Sequence, residues 1–227
     1  MPRVSPFVGL RFDRSRVGPL ERVTAPPYDV ISAQEHARLL AASPYNVIGL
    51  DLGREPGTPA AADRYARAAE DLARWRQEGA LATTATEAYY PYEVRFSLHG
   101  RRRQIRGLIC AVELEELGRD IVPHEQTMTG PVEDRLRLLR ALGANLSCIY
   151  AVFRGPNRPL SDWLREHTAG DPEESMTDED GVEHAMVSTA EARRPRLALI
   201  AFGYWPYGLL LGVVAIAAGI VGRGVVA

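Results

Sequence analysis

Apolar positions along the chain alternate between two periods. Val132, Leu136, Leu139 and Leu142 recur at helical spacing behind Gly130 and Pro131, and Gly143 follows. The spacing predicts a helix opened by the proline, closed by the glycine and buried along those four side chains. Glu133 and Asp134 then fall in its first turn, where the helix dipole favours negative charge. A second helical stripe runs from about Ala60 to Glu78, with Tyr65, Ala69, Leu72 and Trp75 on one face and Gly79 as its stop. Ser32 followed by Glu35 has the spacing of a capping box for a helix reaching about Ala42. Ser161–His167 forms a shorter helix carrying Trp163.

Period two marks the strands. Tyr90, Tyr92, Val94, Phe96 and Leu98 alternate, and Ile105–Leu114 returns across a turn at His99–Arg102, which predicts an antiparallel hairpin. Phe7–Phe12, the run NVIGLDL (Asn46–Leu52) and Leu146–Phe153 also read as strands, whereas Gly170–Asp180 is acidic and loop-like. The order strand, helix, strand, helix, hairpin, helix, strand predicts a mixed α/β layered domain.

The last part of the chain departs from both periods. Leu197–Gly222 is 26 consecutive residues without a charge, flanked by Arg193, Arg194 and Arg196 on one side and Arg223 on the other. At about 1.5 Å per residue a helix of that length would cross the roughly 30 Å core of a bilayer. The positive-inside rule would then leave the N-terminal part in the cytosol. Pro206 and the glycines weaken a helix, so an aberrant reading-frame end and a buried core segment stand beside the anchor. The expected organisation is residues 1–190 as the domain and 191–227 as a hydrophobic tail.

Composition narrows the chemistry. The net charge of −2 provides no basic face for nucleic acid. All 27 Lys and Arg residues are arginine. That excludes a Schiff-base or P-loop lysine and leaves phosphate to arginine, backbone N–H groups or a metal. Cys110 and Cys148 are too few for a disulfide framework or a zinc site. With no signal-peptide core at the N-terminus, a cytoplasmic location is expected. HExxH, GxSxG, GxxxxGK[ST] and a strand-following GxGxxG are absent.

Candidate chemistry therefore falls on polar loops. His124 and Glu125 stand just before the helix start, a place suited to an anion, and either act there or cap the loop. Pro26 and Pro27 stiffen the segment that presents Tyr28 and Asp29, with Asp29 either a turn residue or a ligand contact. Arg101, Arg102, Arg103 and Arg106 cluster at the hairpin tip, as a solvated end or a phosphate contact.

Taken in order, several segments resemble one family. They are PFVGLRFD (Pro6–Asp13), APPYDVI (Ala25–Ile31), NVI (Asn46–Ile48), HEQT (His124–Thr127), GPVEDRLRLL through GANLS (Gly130–Ser147) and DEDGVEH (Asp178–His184). Together, over about Met1–Met186, they resemble domain-of-unknown-function family 1015. The resemblance implies a fold related to ParB/sulfiredoxin-like domains, a superfamily that includes kinases of free serine. It thus implies transfer of phosphate from ATP or ADP, with Mg²⁺, to a small hydroxyl metabolite such as serine. Glu125, His124 and Asp29 would be the catalytic candidates. Tyr28, Thr127, Arg135, Arg102 and Asn145 would contact substrate or phosphate. The family's later DGHHRY-type segment has no counterpart here, which implies an incomplete fold and impaired turnover. The alternative is a non-catalytic ligand-binding or interaction module, tethered to a membrane through Leu197–Gly222 or free of one.

Overall fold

The computed structural model describes residues 3–55, 62–123, 128–153, 158–190, 199–201 and 213–217. In chain order the elements are β1 (Val4–Ser5), β2 (Leu10–Phe12), α1 (Arg14–Val17), a 3₁₀ turn (Leu20–Arg22), α2 (Ala33–Ala42), α3 (Ile48–Asp51) and α4 (Ala62–Gln77). β3 (Leu81–Thr83), β4 (Tyr90–Leu98), β5 (Arg101–Val112), β6 (Ile121–Pro123) and α5 (Thr129–Leu142) follow. The remainder is β7 (Ile149–Phe153), α6 (Arg158–His167), β8 (Glu174–Thr177), β9 (Glu183–Met186), β10 (Leu199–Ala201) and β11 (Val213–Ala217). The mixed α/β class expected from the pattern is the class observed.

Local sequence explains most of these elements. Ser32 accepts the Glu35 N–H at 3.2 Å and starts α2. Gly79, at φ +71°, ends the turn after α4, and Gly143, at φ +62°, closes α5 with its N–H on Leu139 O. His99 (φ +50°) and Gly100 (φ +71°) make a two-residue loop with both φ positive, the geometry that matches the twist of a tight hairpin. β5 therefore begins at Arg101, four residues before the predicted return strand, and the basic tip lies inside the ladder.

Four expectations are corrected. Asn46–Leu52 is a helical turn, α3. The Asn46 side chain accepts the Ile48 N–H at 3.0 Å and donates to Arg22 O and Thr24 O at 2.9 Å. Those bonds fold back a chain whose apolar run is equally compatible with a strand. The buried stripe of α5 is carried by Leu138, while Val132 is exposed and Leu136, Leu139 and Leu142 are half-buried. The helix also starts at Thr129, so Glu133 and Asp134 lie past its first turn. Gly170–Asp180, expected as a loop, holds β8 and the Asp178 turn that closes the β8–β9 hairpin.

The large sheet runs β6-β10-β7-β11-β5-β4-β9-β8, with β1 also pairing β5, and β2–β3 form a separate small sheet. β11 lies parallel to β5 and antiparallel to β7. The described pieces of the uncharged tail are thus strands. Among the described residues no helix is long and apolar enough to cross a membrane.

Two hydrophobic cores result. One joins Leu108, Cys110, Val112 and Ala151 of the sheet to Leu160, Trp163 and Leu164 of α6. The other is built on α4 around Trp75, which is 0% exposed, with Leu50, Tyr65, Leu72, Leu81 and Leu138, and takes no buried member from the large sheet. A small cluster of Phe7, Ala88 and Tyr90 covers part of the sheet face opposite α6. Register places Tyr92, Val94, His184 and Met186 on that face with Tyr90. Thr24 touches Met176 on it, and Arg11 reaches Glu174, so this face looks toward the N-terminal helical layer.

Candidate functional site

A polar cluster joins four separated segments. The Thr24–Ser32 loop brings Tyr28, α3 brings Asp51, α4 brings Arg64 and Tyr65, and α5 brings Asp134 and Arg135. The Arg135 guanidinium carbon lies 4.1 Å from the Tyr28 ring centroid, within cation–π range. Its nitrogens reach the Asp51 carboxylate and Asp51 O, and Nε donates to Asp134 Oδ2 at 3.0 Å. Arg64 pairs with the other Asp134 oxygen and donates to Asp51 O at 2.9 Å. Tyr65 donates its hydroxyl to Asp134 at 2.7 Å.

Asp51, buried at the end of α3, is a carboxylate that arginine must neutralise. Burial pushes the Asp134 carboxyl up, but the Tyr65 hydroxyl, Arg135 and Arg64 outweigh it and hold it below the usual range. Burial opposes the charge on Arg135, and Asp51 and Asp134 more than restore it. Tyr28 is raised, chiefly by burial. Two cations and two carboxylates thus form a nearly neutral, half-buried network next to a stacked tyrosine. The Nε–H of Arg64 is buried without an acceptor among the described residues.

Of the sequence candidates, the structure brings Tyr28 and Arg135 into contact. Asp29 follows Tyr28 in the same turn and is exposed. Asn145 sits half-buried three residues past the end of α5. Arg102 is elsewhere, exposed at the start of β5 and paired with Glu183. His124, Glu125 and Thr127 lie outside the described residues. Asp51, Arg64 and Tyr65 belong to the cluster without having been singled out for chemistry. Asp51 was hidden in an apparent strand, and Tyr65 in an apparent core stripe. The available signal was the unusual burial required of an acid inside NVIGLDL.

Among the described residues no three His, Cys, Asp or Glu side chains gather as a metal cage. Mg²⁺ asks for less, because one or two carboxylates plus substrate phosphates satisfy it, and Asp51 and Asp134 have suitable oxygens.

A family model described as protein of unknown function, DUF1015, matches residues 4–197, most of the chain and past the Met186 limit of the motifs. Neither the curated proteins nor the solved structures contain a match.

Proposed function

Because the chain belongs to the DUF1015 family, we propose that it is a small-molecule phosphotransferase fold whose ligand lies between the Tyr28–Asp29 turn and the first turns of α5. The substrate class is a small hydroxyl metabolite, free serine being the test case, with ATP or ADP as donor. The observation that carries this reading is the Arg135–Tyr28 contact. Two candidates more than 100 residues apart in sequence meet beside the buried Asp51 carboxylate and the half-buried Asp134 carboxylate.

Phosphoryl transfer depends mostly on positioning and charge. Arg135 and Arg64 would offset phosphate charge, Tyr28 would hold Arg135 flat, and exposed Asp29 would orient the hydroxyl. When bound, Mg²⁺ would neutralise phosphate oxygens beside Asp51 and Asp134. The finer fold likeness, to ParB/sulfiredoxin-like domains, belongs to this proposal. The full chain mixed with serine, Mg²⁺ and ATP or ADP should yield phosphoserine by mass spectrometry. Absence of product with both donors, under conditions where the protein is folded, would sink the reading.

The charge balance supports a second reading, a non-catalytic ligand-binding module. Arg64 and Arg135 already face Asp51 and Asp134, so an incoming phosphate must compete with them. Calorimetry with serine and ADP separates the two: binding heat without phosphoserine favours the module. A tethered version of that module would rest on Leu197–Gly222, most of which lies outside the described residues.

A further inference from the structure

The face of the sheet that looks toward the helical layer carries a second polar constellation, which the cluster around Arg135 does not use. Tyr92 on β4 places its hydroxyl 2.5 Å from Nδ1 of His184 on β9. Nε2 of His184 lies 3.1 Å from Asp178 Oδ2. The other Asp178 oxygen accepts the N–H groups of Asp180 and Val182 at 3.0 and 2.8 Å, so the turn itself aims Oδ2 at the imidazole. A carboxylate needs a donor, so in the neutral ring Nε2 carries the proton and Nδ1 accepts from the Tyr92 hydroxyl. The rings of Tyr92 and His184 also stack, with centroids 6.0 Å apart.

This arrangement leaves the Tyr92 oxygen with its proton committed to His184 and its remaining lone pair available as an acceptor. Among the described residues the Tyr92 hydroxyl makes no other hydrogen bond. Burial raises the Tyr92 phenol, so it is a protonated hydroxyl at neutral pH. Thr24, four residues before Tyr28, contacts Met176, which stands directly opposite His184 in the hairpin. The hairpin that carries His184 therefore touches the start of the segment that carries Tyr28 and Asp29.

We propose that Tyr92, His184 and Asp178 are a proton relay for the hydroxyl ligand, with Tyr92 as the group that touches it. This rests on the phosphotransferase reading for the identity of the ligand and adds the sheet-side wall of its site. As the ligand oxygen attacks, its proton passes to Tyr92 Oη and the Tyr92 proton passes to His184 Nδ1. The resulting imidazolium is held by Asp178, and the ligand oxygen keeps the electron pair that forms the new O–P bond. As that bond forms, the bond between the donor's terminal phosphorus and its bridging oxygen breaks, the nucleotide leaves with that electron pair on its own phosphate, and the imidazolium later releases its proton to solvent. His184 and Asp178 are positioning residues that act through Tyr92. The ligand class is a small primary alcohol.

A purely structural role would be that of a clasp between β4 and β9, and one variant separates the two roles. His184→Gln keeps an acceptor for Tyr92 and a donor for Asp178 but cannot take up a proton. With serine as probe, Y92F and H184Q should each lower kcat about 100-fold, within the usual range for acid–base assistance. KM for the nucleotide should stay within twofold, and H184Q should keep the wild-type melting temperature. The full chain with labelled histidine should also show the His184 ring resonances moving on addition of serine, and Y92F should abolish that movement. Wild-type kcat in both variants overturns the relay while leaving the phosphotransferase reading intact. If no phosphoserine forms at all, a serine-dependent shift of His184 that is lost in Y92F still supports the contact, and no shift overturns it.

Discussion

The guanidinium carbon of Arg135 stacks 4.1 Å from the centre of the Tyr28 ring while its nitrogens face Asp51 and Asp134. One side chain thus ties the proline-stiffened loop, α3 and α5 together. Arg135→Ala strands the buried Asp51 carboxylate. The expected loss is about 2–4 kcal/mol, near the low end for breaking a buried pair because Arg135 keeps some solvent contact. Arg135→Lys keeps the charge but loses the planar fork, so its loss should be smaller. Urea denaturation of the two variants measures both, and equal stability of the wild type and the Ala variant would contradict the pairing.

Acid should loosen the same network. The Asp134 carboxyl is held below its ordinary range in the folded state. Its contribution is then fully present above the unfolded value of about 3.9 and is lost as pH falls through the lower folded value. Stability measured against pH should decline below about pH 4, and Asp134→Asn should flatten that part of the curve.

Alkali should act on the other constellation. Tyr92 holds its proton in the folded state above the ordinary tyrosine range because of burial. Unfolded chains lose theirs near pH 10, so stability falls as pH rises beyond about 10. Tyr92→Phe should remove part of that fall. Absorbance at 295 nm should show one tyrosine ionising only together with unfolding.

The hairpin turn offers a local test. His99 occupies φ +50°, a region that suits asparagine better than histidine, and Gly100 sits at φ +71°. His99→Asn should stabilise by a few tenths of a kcal/mol. Gly100→Val should cost about 1–2 kcal/mol, the steric cost of a left-handed β-branched residue. Thermal melts of both variants should move in opposite directions.

Much of this was legible in the sequence where a local rule settles the structure. Ser32 before Glu35, Gly79 and Gly143 placed three helices, and alternation from Tyr90 to Leu98 placed the central hairpin. Asn46–Leu52 failed because a short apolar run fits a strand or a buried turn, and only the tertiary bonds of Asn46 to Arg22 and Thr24 decide between them. β8 and β9 escaped notice because Glu174–Thr177 and Glu183–Met186 are polar. Their ladder is closed by the Asp178 turn and tied to the N-terminal part by Arg11 rather than marked by apolar alternation. Tyr28 and Arg135 were each visible as candidates, whereas their contact depends on long-range packing. His184 stands in a polar run without a local signal, and only the pairing of β9 with β4 sets it against Tyr92.

The α4-centred core shares no buried side chain with the core between the sheet and α6. Each is a candidate for a separate cooperative unit, joined by polar links such as Arg11–Glu174 and Arg38–Glu179 and by the Phe7–Tyr90 contact. Salt weakens such links. Melting in high salt should therefore split into two transitions, and Arg135 variants should displace only the one that belongs to the helical layer.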